Sequence, residues 1–161
     1  MATRALSYAT STTITITLAS LASSATASRE STAIDNTSNL YLDAMVYLAI
    51  PLQTGTPAND KAIYVYFYGS EDGTNYTDNA TGRDAALTLR VPTNLRGPWI
   101  ISCPDSGALT YKTVIPSVAS FFGGEMPRKW GLVVNNYTGT TFNATEGNLI
   151  KTYTGIKETI V

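Results

Sequence analysis

The chain has 161 residues, enough for a single domain with a genuine buried core. Only 14% of them are charged, the formal net charge is −1, and histidine is absent. That balance argues against a basic surface for a nucleic-acid backbone. The missing imidazole removes Ser–His–Asp and Cys–His catalysis and most zinc sites.

Residues 1–11 are small and polar apart from Arg4, Leu6 and Tyr8. They read as an N-terminal arm that becomes ordered by docking on something. These three side chains are its candidate interface residues. Residues 12–161 are expected to form one β-sandwich domain. Thr12 to Leu18 alternates Thr with Ile14, Ile16 and Leu18, the period of a strand. A secretory leader would be continuously apolar there, so the start of the chain is not expected to be a signal peptide. Residues 19–39 are rich in Ala, Ser and Thr and read as loop and turn.

Leu40 to Ile50 is the longest apolar segment and predicts a long strand. Its expected core face is Leu40, Leu42, Ala44, Val46, Leu48 and Ile50. Ala62 to Tyr68 predicts another, with Ile63, Val65 and Phe67 on one face and Tyr64, Tyr66 and Tyr68 on the other. That tyrosine stripe is either cross-strand packing or an interface, since Tyr suits both. Tyr64, Tyr66 and Tyr68 therefore join the candidate interface set. Asp72-Gly73 predicts a hairpin returning near Asn75 to Thr77. Further strands are expected over Ala85 to Val91, Trp99 to Cys103, Tyr111 to Val118, Trp130 to Asn135 and Leu149 to Val161. Eight or nine strands separated by turn signals make an all-β antiparallel sandwich, of jelly-roll or immunoglobulin-like type.

The remaining chemistry is sparse. Cys103, the one cysteine, sits in an apolar run and reads as a buried structural thiol. The carboxylates Asp43, Glu71, Asp72, Asp78, Asp84 and Glu125 are candidates for an acid–base pair. Glu71, Asp72, Asp78 and Asp84 are also candidates for a shared calcium ion. Most sit in predicted turns, where Asp serves the backbone. Five Asn-x-Ser/Thr sites, at Asn36, Asn75, Asn79, Asn136 and Asn143, read as turn chemistry too. No enzyme, cofactor, metal site or membrane span is expected.

Several stretches carry a resemblance. They are Ile14-Thr15-Ile16-Thr17-Leu18-Ala19-Ser20-Leu21-Ala22, Asp35-Asn36 leading into Leu40-Tyr41-Leu42-Asp43-Ala44, Tyr64-Val65-Tyr66-Phe67-Tyr68-Gly69-Ser70-Glu71-Asp72-Gly73, and Pro127-Arg128-Lys129-Trp130-Gly131-Leu132-Val133-Val134. In texture and order the chain resembles small β-rich virion proteins of tailed bacteriophages. The resemblance implies a structural protein, made in the host cytoplasm and carried on the particle surface. It would act as a capsid decoration (cement) protein or a tail accessory protein. Its implied partners are the major capsid protein or other virion proteins, with many copies or a homo-oligomer per particle, and neither nucleic acid nor membrane. The Ser70 to Tyr76 turn also resembles a turn of discoidin-type sugar-binding sandwiches. That implies an alternative, a carbohydrate-binding module stacking sugars on Tyr64, Tyr66, Tyr68, Tyr76 or Trp130.

Overall fold

A computed structural model describes residues 3–160. Eleven strands form two antiparallel sheets. Sheet I contains β1 (Arg4–Tyr8), β2 (Thr12–Thr13), β5 (Asp43–Pro51), β9 (Thr110–Ile115) and β11 (Ile150–Ile160), in the order β1-β11-β5-β9 with β2 also on β11. Sheet II contains β3 (Ala27–Glu30), β4 (Ile34–Asp35), β6 (Ala62–Ser70), β7 (Ala85–Thr88), β8 (Arg96–Ser102) and β10 (Lys129–Tyr137). Its order is β7-β3-β10-β6-β8, with β4 also on β10. The expected all-β antiparallel sandwich is therefore the observed fold. Among the described residues the helical pieces are 3-10 turns at Ala119–Phe122 and Glu146–Asn148, and no helix is long and apolar enough to cross a membrane.

The core lies between the sheets. Side chains alternate across a strand, so β5 sends Ala44, Val46, Leu48 and Ile50 inward against Ile63, Val65 and Phe67 of β6 and Trp130, Leu132 and Val134 of β10. Leu40 and Leu42 do not join them. Both are exposed, because β5 begins only at Asp43 and Leu40 sits in a left-handed turn at φ 53°.

Residues 12–18 keep the expected alternation but not the expected ladder. Ile14, Ile16 and Leu18 are buried in the core, yet only Thr12 and Thr13 pair as strand. Beyond them the backbone N–H groups find other acceptors. Ile14 donates to the Lys151 carbonyl, Thr17 to the Asp84 carboxylate, and Leu18 and Ala19 to the Glu146 carboxylate. The segment thus crosses from one sheet to the other and closes that side of the sandwich. On the opposite side Trp99 Nε1 donates to Thr113 Oγ1 at 2.9 Å, tying β8 to β9.

The expected arm is a strand. Arg4 to Tyr8 pair along Ile160 to Ile156 of β11, so this stretch docks on its own chain instead of reaching free. Met1 and Ala2 of the expected arm, and Val161 of the last expected strand, lie outside the described residues. Two further strands, β3 and β4, occupy the stretch that composition assigns to loop.

Candidate interaction surface

Period-two geometry fixes what the outside of sheet I presents. With Val46 and Leu48 inward, β5 turns Met45 and Tyr47 outward. Residues directly opposite in an antiparallel pair share a face. Met45 lies opposite Thr154, and Tyr47 lies between Thr152 and Val114. Along β11 the same face continues through Ile150, Thr152, Thr154, Ile156, Glu158 and Ile160. On β1 it continues through Tyr8, Leu6 and Arg4, opposite Ile156, Glu158 and Ile160.

This face is open and apolar. Leu6 and Tyr8 are each 65% exposed, Val114 53%, Ile150 47% and Ile160 78%. Among the described residues these are five of the ten exposed large apolar side chains, so the exposure is gathered on one sheet face and not scattered. Among the described residues charge on it is limited to Arg4, Asp43, Lys112 and Glu158, of which Lys112 is exposed beside Val114 on β9. Arg4 pairs with Glu158 at 3.2 Å, and Asp43 turns its carboxylate to the N–H groups of Ala44 and Ala119. The candidate residues Arg4, Leu6 and Tyr8 therefore stand together, on a face whose other members were not singled out from sequence. The signal for those members lay in the outward halves of Asp43–Pro51 and Ile150–Ile160. They are legible only once the inward halves are known.

The other three candidates lie on the far side of the molecule. Tyr64, Tyr66 and Tyr68 face outward from sheet II, but the chain covers Tyr68 and packs against Tyr66. Tyr68 is completely buried in a second apolar cluster with Leu87, Leu89, Leu95 and Val133, against which Tyr66, Tyr76 and Ala80 pack. Its ring lies directly over Gly131, where an added Cβ would sit 2.3 Å from Tyr68 Cζ. Its hydroxyl donates to the Ser31 carbonyl at 2.6 Å, and burial raises it far above the usual phenol range. Tyr64 is half-buried and donates to Asp60 at 2.7 Å, a bond that pushes its pKa up to about 12. Tyr68 is thus a packing residue and is corrected as an interface candidate, and Tyr66 is largely occupied. Trp130, offered above as a sugar platform, is also buried, packed edge-on against Tyr153 with centroids 5.5 Å apart.

The cover over sheet II is pinned by polar groups. Glu30, itself buried, accepts from Thr81 N, Thr81 Oγ1 and Gly82 N. Asp78 accepts from Asn94 N, Thr93 Oγ1 and Arg90, and these contacts, led by the Asn94 N–H, hold its carboxyl below the ordinary value. Burial pushes the Asp84 carboxyl up. The hydroxyl and N–H of Thr17 and the Arg29 guanidinium, at 2.5 Å, outweigh it and leave the group lowered. Asp72 closes its own turn by accepting from Asn75 N and Thr74 N, which depresses it strongly. The expected hairpin return near Asn75 to Thr77 is reduced to Thr77, whose N–H donates to the Gly69 carbonyl at 3.0 Å, and no strand forms there before the chain enters the cover.

Asp43, Asp72, Asp78 and Asp84 are therefore engaged in structural hydrogen bonds. Among the described residues no three of Cys, Asp and Glu gather as a cation site, so Glu71, Asp72, Asp78 and Asp84 do not come together. Glu71 and Glu125 do share the rim of an open cleft of about 360 Å³ with Phe122, Met126, Pro127 and Arg128. Cys103 is buried, and desolvation pushes its thiol up to about 12. At neutral pH it holds almost no thiolate. Asn36 sits in a turn and its amide donates to the Tyr41 carbonyl, as turn chemistry requires. Asn136 lies instead within β10, from which its amide donates to the Leu21 and Thr140 carbonyls and braces the turn that follows. No family model, curated protein or solved structure matches the chain.

Proposed function

We propose that this chain is a non-enzymatic structural protein of a phage particle, which decorates or stabilises the capsid by docking the outer face of sheet I on neighbouring subunits. The observation that carries the docking half is the open apolar face built from β1, β11, β5 and β9, with Leu6, Tyr8, Val114, Ile150 and Ile160 exposed together. Half of the exposed large apolar side chains among the described residues lie on this one sheet face, and exposed apolar surface gathered in this way marks an interaction site. The particle half rests on the resemblance in sequence texture. Carboxylates held in structural hydrogen bonds and a desolvated thiol suit a protein that works by adhesion. Many copies on one symmetric shell let each contact stay weak, since neighbouring contacts add by effective concentration.

Mass spectrometry of purified particles tests this reading, and the chain is expected there in many copies. Cosedimentation with particles then tests the face. The wild type is expected to bind, and Ile150→Asp combined with Val114→Asp is expected to lose binding while staying folded. Absence from particles, or full binding by the double variant, overturns the proposal. Of the five rings offered for the sugar-binding alternative, Tyr68 and Trp130 are buried, while Tyr64, Tyr66 and Tyr76 stay partly exposed.

A further inference from the structure

Among the described residues the two sheets end on β7, β8, β9 and β1, and the first three each carry a feature that hinders pairing at or beside the strand. On β7 the Thr88 carbonyl accepts from Asn79 Nδ2 at 3.0 Å. β8 carries Pro98 and a bulge opposite Val65 to Phe67. β9 runs into Pro116 and is tied across to Trp99. Natural sheets blunt their edges with such devices, because an open edge is a template for another strand.

The β1 edge has none of them. Arg4 to Tyr8 contains no proline and no bulge, and its register with β11 is continuous. Ala9 N donates to the Gly155 carbonyl at 2.8 Å, which sets the phase of the ladder. Ala5, Ser7 and Ala9 thus turn their backbone groups toward β11, while Arg4, Leu6 and Tyr8 turn theirs outward. This edge also stands clear of the rest of sheet I. β5 stops pairing at Ile156, so β1 and the last residues of β11 continue as a two-stranded ribbon with exposed side chains.

We infer that the occupant of this edge is a second copy of the same chain, paired β1 to β1 in antiparallel fashion about a two-fold axis at Leu6. The strand is self-complementary in that register. Leu6 meets Leu6 of the second copy, Arg4 meets Tyr8, and Ala5 meets Ser7. Each outward-turned residue exchanges both backbone bonds with its opposite number. No like charges oppose one another. Arg4 comes against a tyrosine ring and is already neutralised within its own copy by Glu158 at 3.2 Å. The small residues Ala5 and Ser7 fall together on the other side of the ribbon and present no bulk to clash. The outcome is one continuous sheet through both copies. It places the two apolar outer faces side by side and doubles the docking surface. The inference stands apart from the particle assignment, since it concerns the isolated protein.

Sedimentation velocity of the full chain at about 100 µM, which populates pairs of micromolar affinity, is expected to give twice the 17.2 kDa chain mass. Leu6→Lys puts like charges on the axis and is expected to return a monomer with unchanged circular dichroism. Leu6→Cys places the new thiols about 5.5 Å apart at Cα, within disulfide range. Native Cys103 is buried and stays silent. Mild oxidation is expected to cross-link Leu6→Cys into a dimer and to leave Val114→Cys, exposed on the same face but on β9, monomeric in a denaturing gel. A wild-type monomer overturns the inference. So does a dimer that survives Leu6→Lys, or one that cross-links through Val114→Cys and not through Leu6→Cys, since that pattern describes stacked faces. Failure of the wild-type dimer to bind particles leaves the pairing standing and counts only against the capsid reading.

Discussion

On the outside of sheet II, the row Tyr66, Val133, Glu30 and Ala85 lies beneath the loop after β6 and the segment after β7. On the outside of sheet I, the apolar side chains Leu6, Tyr8, Val114, Ile150 and Ile160 are open to solvent. Both faces follow from the same strand alternation, and both are too apolar to be ordinary solvated surface. The first is completed by the chain's own residues 71–95, and becomes a second core. Among the described residues the second has no such segment, and its apolar side chains stay open to solvent. Exposure after folding, and not composition of the strand, is what separates a packing tyrosine such as Tyr68 from a surface tyrosine such as Tyr8.

Substitutions sharpen that contrast. The largest loss is expected from Tyr68→Ala, which empties a fully buried ring site and costs about 3–5 kcal/mol in a denaturant titration. Tyr8→Ala on the open face is expected to change stability by no more than about 0.5 kcal/mol. Equal losses at the two tyrosines would break the comparison. Glu30→Ala leaves the donors of Thr81 and Gly82 unpaired under the cover, and is expected to cost about 2–3 kcal/mol. Limited proteolysis is then expected to cut first within 71–95. Gly131→Ala drives a methyl into the Tyr68 ring, which the Ser31 bond holds in place, at a cost of about 1–3 kcal/mol by thermal melting.

Acid loosens the same region by a smaller amount. Asp78 and Asp84 are both lowered relative to the unfolded chain. Their stabilisation is therefore complete above the ordinary carboxylate value of about 4, and is lost as pH falls through their folded values. Denaturant midpoints measured from pH 6 downward are expected to fall below about pH 4, and Asp84→Asn is expected to flatten part of that dependence. The smallest effect on stability is expected on sheet I. Ile150→Thr is expected to shift stability by less than about 0.5 kcal/mol, while weakening cosedimentation with particles and leaving the β1-paired dimer intact.

Several of these features are legible in the sequence for a clear reason. A half-buried strand must alternate, so Ile63, Val65 and Phe67 announce their inward face, and Ile14, Ile16 and Leu18 announce theirs. The missing ladder at 14–18 is not legible, because the acceptors that replace it, Asp84 and Glu146, are distant in the chain. Strand β3 is hidden for a related reason. Its Ala27-Ser28-Arg29-Glu30 stretch has no apolar alternation, since Ser28 and Glu30 are buried against polar partners, Asn135 and Thr81.

Local chemistry, then, was enough to specify an all-β chain, the inward halves of its long strands, and a thiol unsuited to nucleophilic work. These depend on residue type and a two-residue period, which neighbours along the chain already carry. Only the tertiary arrangement decided that residues 4–8 form an edge strand, that residues 71–95 cover Tyr68 and pack against Tyr66, and that the outside of sheet I stays bare. Each of those outcomes depends on which distant segment comes to lie on a face or an edge, and a strand's own side chains do not encode what lies above it.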